Sequence, residues 1–575
     1  MKQTILFLIC TITALSGCKQ KVSKEDKTPT ITSQMSCAPV TTDKAWYASD
    51  SKAPLFDGLG NYHFPITTND TLVQRYFDQG MVLAYGFNHA EAARSFHYAT
   101  KIDPNCPMAF WGFAYVLGPN YNAGMESDNY ERAYLAIQKA IELSKNNATD
   151  KEKDLIDALS KRYVKKAIED RHALDLAYAD ALKSLYAKYP KDGDIGVLYA
   201  ESLMNLHPWD LQDKDGNEKE WTPEIIAILE NVLDLNPKHI GAHHFYIHAV
   251  EASSTPNRAL KSAQMFDEGL SKNSGHLVHM PSHIYIRTGD YHKGTLANIQ
   301  AAKVDSAYIT SCHAQGAYPL TYYPHNQHFM AATATLEGNS KWAIHAANAL
   351  QKNTHRQLMG DPGWSTLQHY YSIPYYVYVK FGKWDDILAL TNETPEFDYP
   401  TAMLHYAKGM ANLGKGNLLT AKSELHTLEE ITKNDTLKDI TIWGINSVLD
   451  LVQIANKVLK AEILASENNF DDSIALLKEA IAIEDALNYN EPPDWFFSVR
   501  HNLGNIQLKA KYFEDAVETY LQDLKHFPKN GWALHGLTEA YRGLNSLTKQ
   551  KETEKLFQAS WATADVALEG SAIRF

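Results

Sequence analysis

Along most of the chain, apolar and polar residues are mixed in blocks long enough for a helix, and the blocks come in pairs. Glycine, asparagine and aspartate mark the joints, as at Thr288-Gly289-Asp290, Gly338-Asn339, Gly414-Lys415-Gly416 and Asn468-Asn469. About nine to eleven such pairs fit the length. Alternating β-branched runs are few, so strands should be scarce. The expected fold is all-α, with helical hairpins stacked into an α-solenoid that has one concave face. Two stretches break the pattern. The polar run from Asp210 to Glu220 reads as an inserted loop, and Cys37 to Thr71 reads as an extended cap over the first hairpin. A third, the apolar run from Ile5 to Leu15, is too short for a transmembrane helix, which needs about 20 residues. No later run is long enough to span a bilayer.

Self-similarity sharpens this reading. Counting Val73 as position 1, Gly80, Ala92, Phe96, Ala99 and Pro104 fall at positions 8, 20, 24, 27 and 32. Counting Phe497 as position 1, Leu503, Gly504, Ala516, Tyr520 and Pro528 fall at positions 7, 8, 20, 24 and 32. Small residues at these places let two antiparallel helices approach, an aromatic fills the space between them, and proline ends the second helix. Both segments resemble the tetratricopeptide (TPR) repeat; the match is loose between about residues 110 and 490. The resemblance implies a scaffold that binds a protein or peptide in its concave groove.

The first twenty residues read as an address. Leu15-Ser16-Gly17-Cys18 closes the apolar run and resembles the bacterial lipobox. That resemblance implies a signal peptide at 1–17, lipid on Cys18 and a flexible tether at 18–36. The cap at 37–71 and the helical array at 72–575 would follow. Lys19, rather than aspartate, after the lipidated cysteine favours the outer membrane of the bacterial envelope, facing the periplasm. The formal net charge of -13 argues against nucleic acid as a partner. Beyond Cys18, only Cys37, Cys106 and Cys312 remain in the implied mature chain, enough for one disulfide at most.

Histidine supplies the candidate chemistry. Fourteen of the 24 His lie between His239 and His369. His244, His248 and Glu251 are spaced to share one helix face. His276, His279 and His283 repeat a similar stripe, interrupted by Pro281, which should start a helix and leave His276 and His279 on the loop entering it. His325 and His328 form a third pair, again just after a proline. Corresponding helices of a TPR stack line one face, so these groups should converge. Imidazoles with one carboxylate suit Zn, Cu, Ni or Fe. A His-lined pocket for an organic or phosphate ligand, and plain hydrogen bonding between helices, are the alternatives. His89 in Phe87-Asn88-His89-Ala90-Glu91-Ala92, and Glu491, Trp495 and Arg500 around two prolines, are further candidates for ligand binding.

The sequence therefore predicts a lipid-anchored TPR protein that binds a partner or ligand through its concave face and carries a His-rich metal site. The alternative is a metal-dependent hydrolase or oxidoreductase on the same scaffold, with Glu251 as ligand or base. No HExxH, nucleophile elbow or phosphate loop supports another enzyme class.

Overall fold

A computed structural model describes residues 44–49, 51–312, 317–361 and 363–572. The chain is an all-α, TPR-like solenoid. Consecutive antiparallel helices pair from Thr71–Tyr85 with His89–Ile102 through to Gly531–Gly543 with Leu547–Ser560. Among the described residues the strands are one two-residue pair, Thr441–Ile442 against Asn446–Ser447. No described helix is long and apolar enough to cross a membrane. The signal, Cys18 and the tether lie outside the described residues, as does Cys37, and nothing is described of the Cys312 side chain. Cys106 is a buried free thiol, and burial pushes its pKa up to about 11.

The two well-matched repeats use one packing device. Phe96 is fully buried, and a Cβ added at Gly80 or Gly112 would come within 2.6 or 2.4 Å of its ring. Tyr520 is held in the same way between Gly504 and Gly536, where an added Cβ would lie 2.4 or 2.2 Å away. In both places the aromatic occupies the space that two glycines leave open, so the helices close to ring-contact distance. Ahead of the first hairpin, residues 51–70 run without helix and are tied down by polar side chains. Gln79 Oε1 accepts from Phe56 N at 2.8 Å, Glu152 accepts from Thr67 N at 2.6 Å, and Tyr62 Oη donates to Asp194 at 2.5 Å.

The inner face of the middle repeats is closed. The first hairpin reaches the Ile240–Val250 helix, where Tyr85 O accepts from His244 Nδ1. Tyr308 Oη donates to Asn88 Oδ1 at 3.2 Å. The last repeats fold back on the middle. Tyr291 Oη donates to Pro528 O at 2.8 Å, Trp532 Nε1 to Thr335 O at 2.9 Å, and Ser340 N to Asp565 at 2.6 Å. Buried apolar side chains form one group from Ala53 to Tyr285 and another from Ile286 to Ile506. The boundary falls inside the Pro281–Thr288 helix. The histidine-rich stretch sits along this seam.

Candidate metal centre

Four helices deliver the histidines. Ile240–Val250 carries His244 and His248, with Glu251 as its C-terminal cap residue. His276 and His279 lie on a short helix of their own, Gly275–His279, and not on a loop. Pro281 then begins the helix that carries His283, as its missing N–H allows. Tyr322–Leu336 carries His325 and His328. The short helix is pressed against Asp305, since a Cβ on Gly275 would overlap that carboxylate. Asp305 in turn accepts from Tyr318 at 2.8 Å and Asn326 at 2.5 Å, joining three helices. Burial pushes its carboxyl up to about 7.

Seven of the eight side chains proposed as ligands come together. The structure groups His244 with His248 and His276, His279 with His283 and His325, and His248 with Glu251 and His283; in each group one donor atom per residue lies within 4.8 Å of the others. His244, His248, Glu251, His276, His279 and His283 are at most 2 % exposed. His325 is half-buried and forms the solvent side.

The proton positions follow from the partners on the far side of each ring. Tyr85 O can only accept, so His244 carries its proton on Nδ1. Glu251 Oε1 accepts from His248 Nδ1 at 2.7 Å, and its other oxygen accepts from His283 Nδ1. Asn298 Oδ1 accepts from His279 Nδ1 at 2.7 Å, while the Asn298 amide group donates to Gly294 O at 2.8 Å and so fixes the side-chain orientation. Ser282, also beside that nitrogen, commits its own proton to His279 O at 2.7 Å. In the neutral state, all four Nε2 atoms are therefore lone-pair donors.

Two of those lone pairs face one another, with His279 Nε2 lying 2.8 Å from His283 Nε2. His276 Nε2 lies 3.1 Å from His244 Nε2 and can donate its proton to that lone pair. His248 Nε2 and His276 Nδ1 are buried without a hydrogen-bond partner. Two unprotonated nitrogens at 2.8 Å repel unless a proton or a metal ion sits between them. A proton would place an imidazolium in a buried site. Burial, then the neighbouring imidazoles, hold His244, His276, His279 and His325 well below the ordinary histidine pKa. Burial also opposes ionisation of Glu251, but His283 and His248 outweigh it and hold the carboxyl well below its usual range. Two nitrogens bound to one tetrahedral ion at about 2.0–2.1 Å would lie about 3.3 Å apart, so small ring movements suffice.

The remaining candidates sit elsewhere. His328 turns from the cluster and packs against His369 and Phe496, with ring centroids 5.3 Å away in each case. His89 stacks on Phe87 at 6.2 Å, and Phe87 contacts His244 at 4.6 Å and His276 at 5.2 Å, so His89 lies one ring removed from the centre. Burial brings its pKa to about 4. Trp495 is buried against Tyr376 and Tyr406, beside a small cavity also lined by Lys380 and Glu462. Arg500 pairs with Asp485 at 2.7 Å and lies 3.9 Å from Glu484, so its charge is used between repeats. Glu491 is buried within electrostatic reach of the centre. Burial pushes its carboxyl up to about 7, and Arg287, Glu251 and His283 act on it through space.

Sequence reasoning missed Asn298, the Tyr85 carbonyl and Phe87. Each acts on an imidazole from outside the helix that carries the ring, Asn298 from 19 residues away and Tyr85 from 159, and no local spacing marks them. It also missed an aromatic cover. Trp209 stacks on Tyr121 at 5.2 Å, stands edge-on to His248 at 5.7 Å, and donates to Asn122 Oδ1 at 3.1 Å.

No family model matches the chain, and no curated protein does. Among solved structures it is similar to the human IFIT1 dimer with m7Gppp-AAAA, at 12% identity and a TM-score of 0.29, covering 87% of this chain and 92% of that one. Similarity to yeast Tom70 is at 12% identity and a TM-score of 0.25, over 84% of this chain and 90% of that one. The P58(IPK) TPR domain matches at 14% identity and a TM-score of 0.19, over 85% and 92%. Scores at this level bear on neither ligand nor partner.

Proposed function

We propose that this is a lipid-anchored, TPR-like protein of the bacterial envelope whose middle repeats hold a transition metal, with Zn, Cu, Ni and Fe as the chemically suited ions. The observation that carries the metal reading is the 2.8 Å approach of His279 Nε2 to His283 Nε2 while both Nδ1 atoms are hydrogen-bonded to acceptors. Metal-ligating histidines commonly direct the opposite ring nitrogen at a carboxylate or carbonyl, which fixes the tautomer and raises the basicity of the ligating atom. Four rings here do so, one of them to an asparagine amide oxygen. The peptide groove implied by the repeat has to lie away from the closed inner face. In the middle repeats, a buried ion fits the space better than an extended chain.

The test is elemental analysis of the purified full chain. The expected result is bound transition metal that is removed by chelation, and none in the His248→Ala, His283→Ala double variant. Metal-free protein that takes up none of the four ions would sink the reading. The alternative, a metal-dependent enzyme, is favoured by Glu491, whose Oε2 is buried without a partner. Tyr489 Oη donates to its other oxygen at 2.6 Å. A carboxyl whose pKa burial raises to about 7 is equipped to move a proton.

A further inference from the structure

Resting on that reading, we infer that the centre holds a pair of metal ions, one in each of two three-histidine half-sites, and that copper is the ion that fits. The first half-site is His244, His248 and His276; the second is His279, His283 and His325. The first draws on two helices and the second on three, so each needs the stacking of repeats to exist. Within each half-site two rings already oppose Nε2 to Nε2, at 3.1 Å in the first and 2.8 Å in the second. One ion in the first half-site would leave the lone pairs of His279 and His283 in mutual contact, and one ion in the second would leave His248 Nε2 buried without a partner. Two ions satisfy both.

Glu251 joins the halves. Its two oxygens accept from His248 of one and His283 of the other. The rings of these two histidines stand 5.3 Å apart, centroid to centroid. One carboxylate thus sets the tautomer of one ligand in each half-site. It acts as a positioning residue behind both ions, and this arrangement makes no use of it as a ligand.

Charge selects the ion. Six neutral imidazoles and one carboxylate supply a single negative charge. Two dications would leave three positive charges over in a site that is nearly all buried, whereas two cuprous ions leave one. Imidazole suits copper, and three nitrogen donors satisfy the low coordination number that Cu(I) accepts. Phe87, Phe329 and Tyr322 surround the rings and keep the dielectric low; Phe329 lies 4.5 Å from the His283 ring and Tyr322 lies 5.1 Å from His276.

The experiment is anaerobic titration of the metal-free full chain with Cu(I), with bound copper per chain as the readout. About two per chain is expected. One per chain overturns the pair and leaves the single-metal reading standing, and none overturns both. His244→Gln with His276→Gln, and separately His279→Gln with His325→Gln, should each retain one copper. Loss of both ions from either folded variant, with circular dichroism as the control for folding, overturns the division into half-sites. Should a variant not fold, the stoichiometry of the unmodified chain still decides between one ion and two.

Discussion

His325 and His328 lie three residues apart on one helix, yet they belong to different neighbourhoods. His325 faces His279 and His283, whose far-side nitrogens meet Asn298 and Glu251. His328 faces His369, Tyr370 and Phe496. His369 has its Nδ1 on the Tyr399 hydroxyl at 2.8 Å, and Nε2 of both His328 and His369 is buried without a partner. Both groups are histidine-rich and enclosed by aromatics. They differ in what stands behind the rings. In the cluster, carbonyl, amide and carboxylate acceptors fix the proton on Nδ1 and aim the lone pairs inward. In the His328–His369 pair the acceptor behind His369 is replaced by a hydroxyl, which can donate or accept, and among the described residues no carboxylate pairs with either ring. Clustering of imidazoles alone does not make a cation site; acceptors in the second layer do.

Chelation should give the largest contrast. An ion held at a thousand times its dissociation constant stabilises the folded chain by about 4 kcal/mol. Stripping the metal should lower the thermal midpoint of the unmodified chain and of a His328→Gln, His369→Gln variant by similar amounts. It should leave the midpoint of His279→Ala, His283→Ala unmoved. Differential scanning calorimetry with and without chelator reads this directly. A chelator response lost in the first variant and kept in the second would reverse the assignment of the two regions.

Glu251 sets the next contrast. Glu251→Ala keeps every imidazole but removes the acceptor shared by His248 and His283. Metal affinity should fall by about 10–100-fold, as for other second-layer partners. A matched change behind the second pair, Tyr399→Phe, should leave metal affinity as it was. Competition with a chromophoric chelator measures both. An affinity unchanged in Glu251→Ala would mean that the tautomers are set by something other than this carboxylate.

Much of this was legible in the chain, for reasons that also explain what was not. The repeats at both ends were readable because Gly80 with Phe96 and Gly504 with Tyr520 are local, periodic consequences of close helix packing. The histidine stripes were readable for the same reason, since i, i+4 spacing on a helix is fixed by geometry. The acceptors were not, because Tyr85 and Asn298 reach the cluster from other helices, Tyr85 from 159 residues away in sequence. Spacing also failed to separate His325 from His328, since which side of a buried helix faces which neighbour depends on the stack. The closed inner face was invisible for a related reason: contacts such as Trp532 to Thr335 join residues 197 apart.

The smallest effect concerns acid stability, and it isolates the second pair. Burial pushes His369 down to about 3, so the folded chain keeps this ring neutral where the unfolded chain protonates it. Between the ordinary histidine pKa of about 6.5 and that lower value, the unfolded state binds one more proton than the folded state. Stability contributed by this site is therefore level above about pH 6.5 and falls as the pH drops, by up to about 1.4 kcal/mol per pH unit. His369→Phe removes the titrating group while keeping a ring among His328, Tyr376 and Tyr399, at the cost of one hydrogen bond to Tyr399. In metal-free protein, urea unfolding followed from pH 6 to pH 4.5 should show a slope shallower by about that amount in the variant. Its stability at pH 8 should lie within about 1.5 kcal/mol of the unmodified chain, the value of the lost bond. An unchanged slope would mean that His369 takes up its proton in the folded state, with the neighbouring rings parting to admit water.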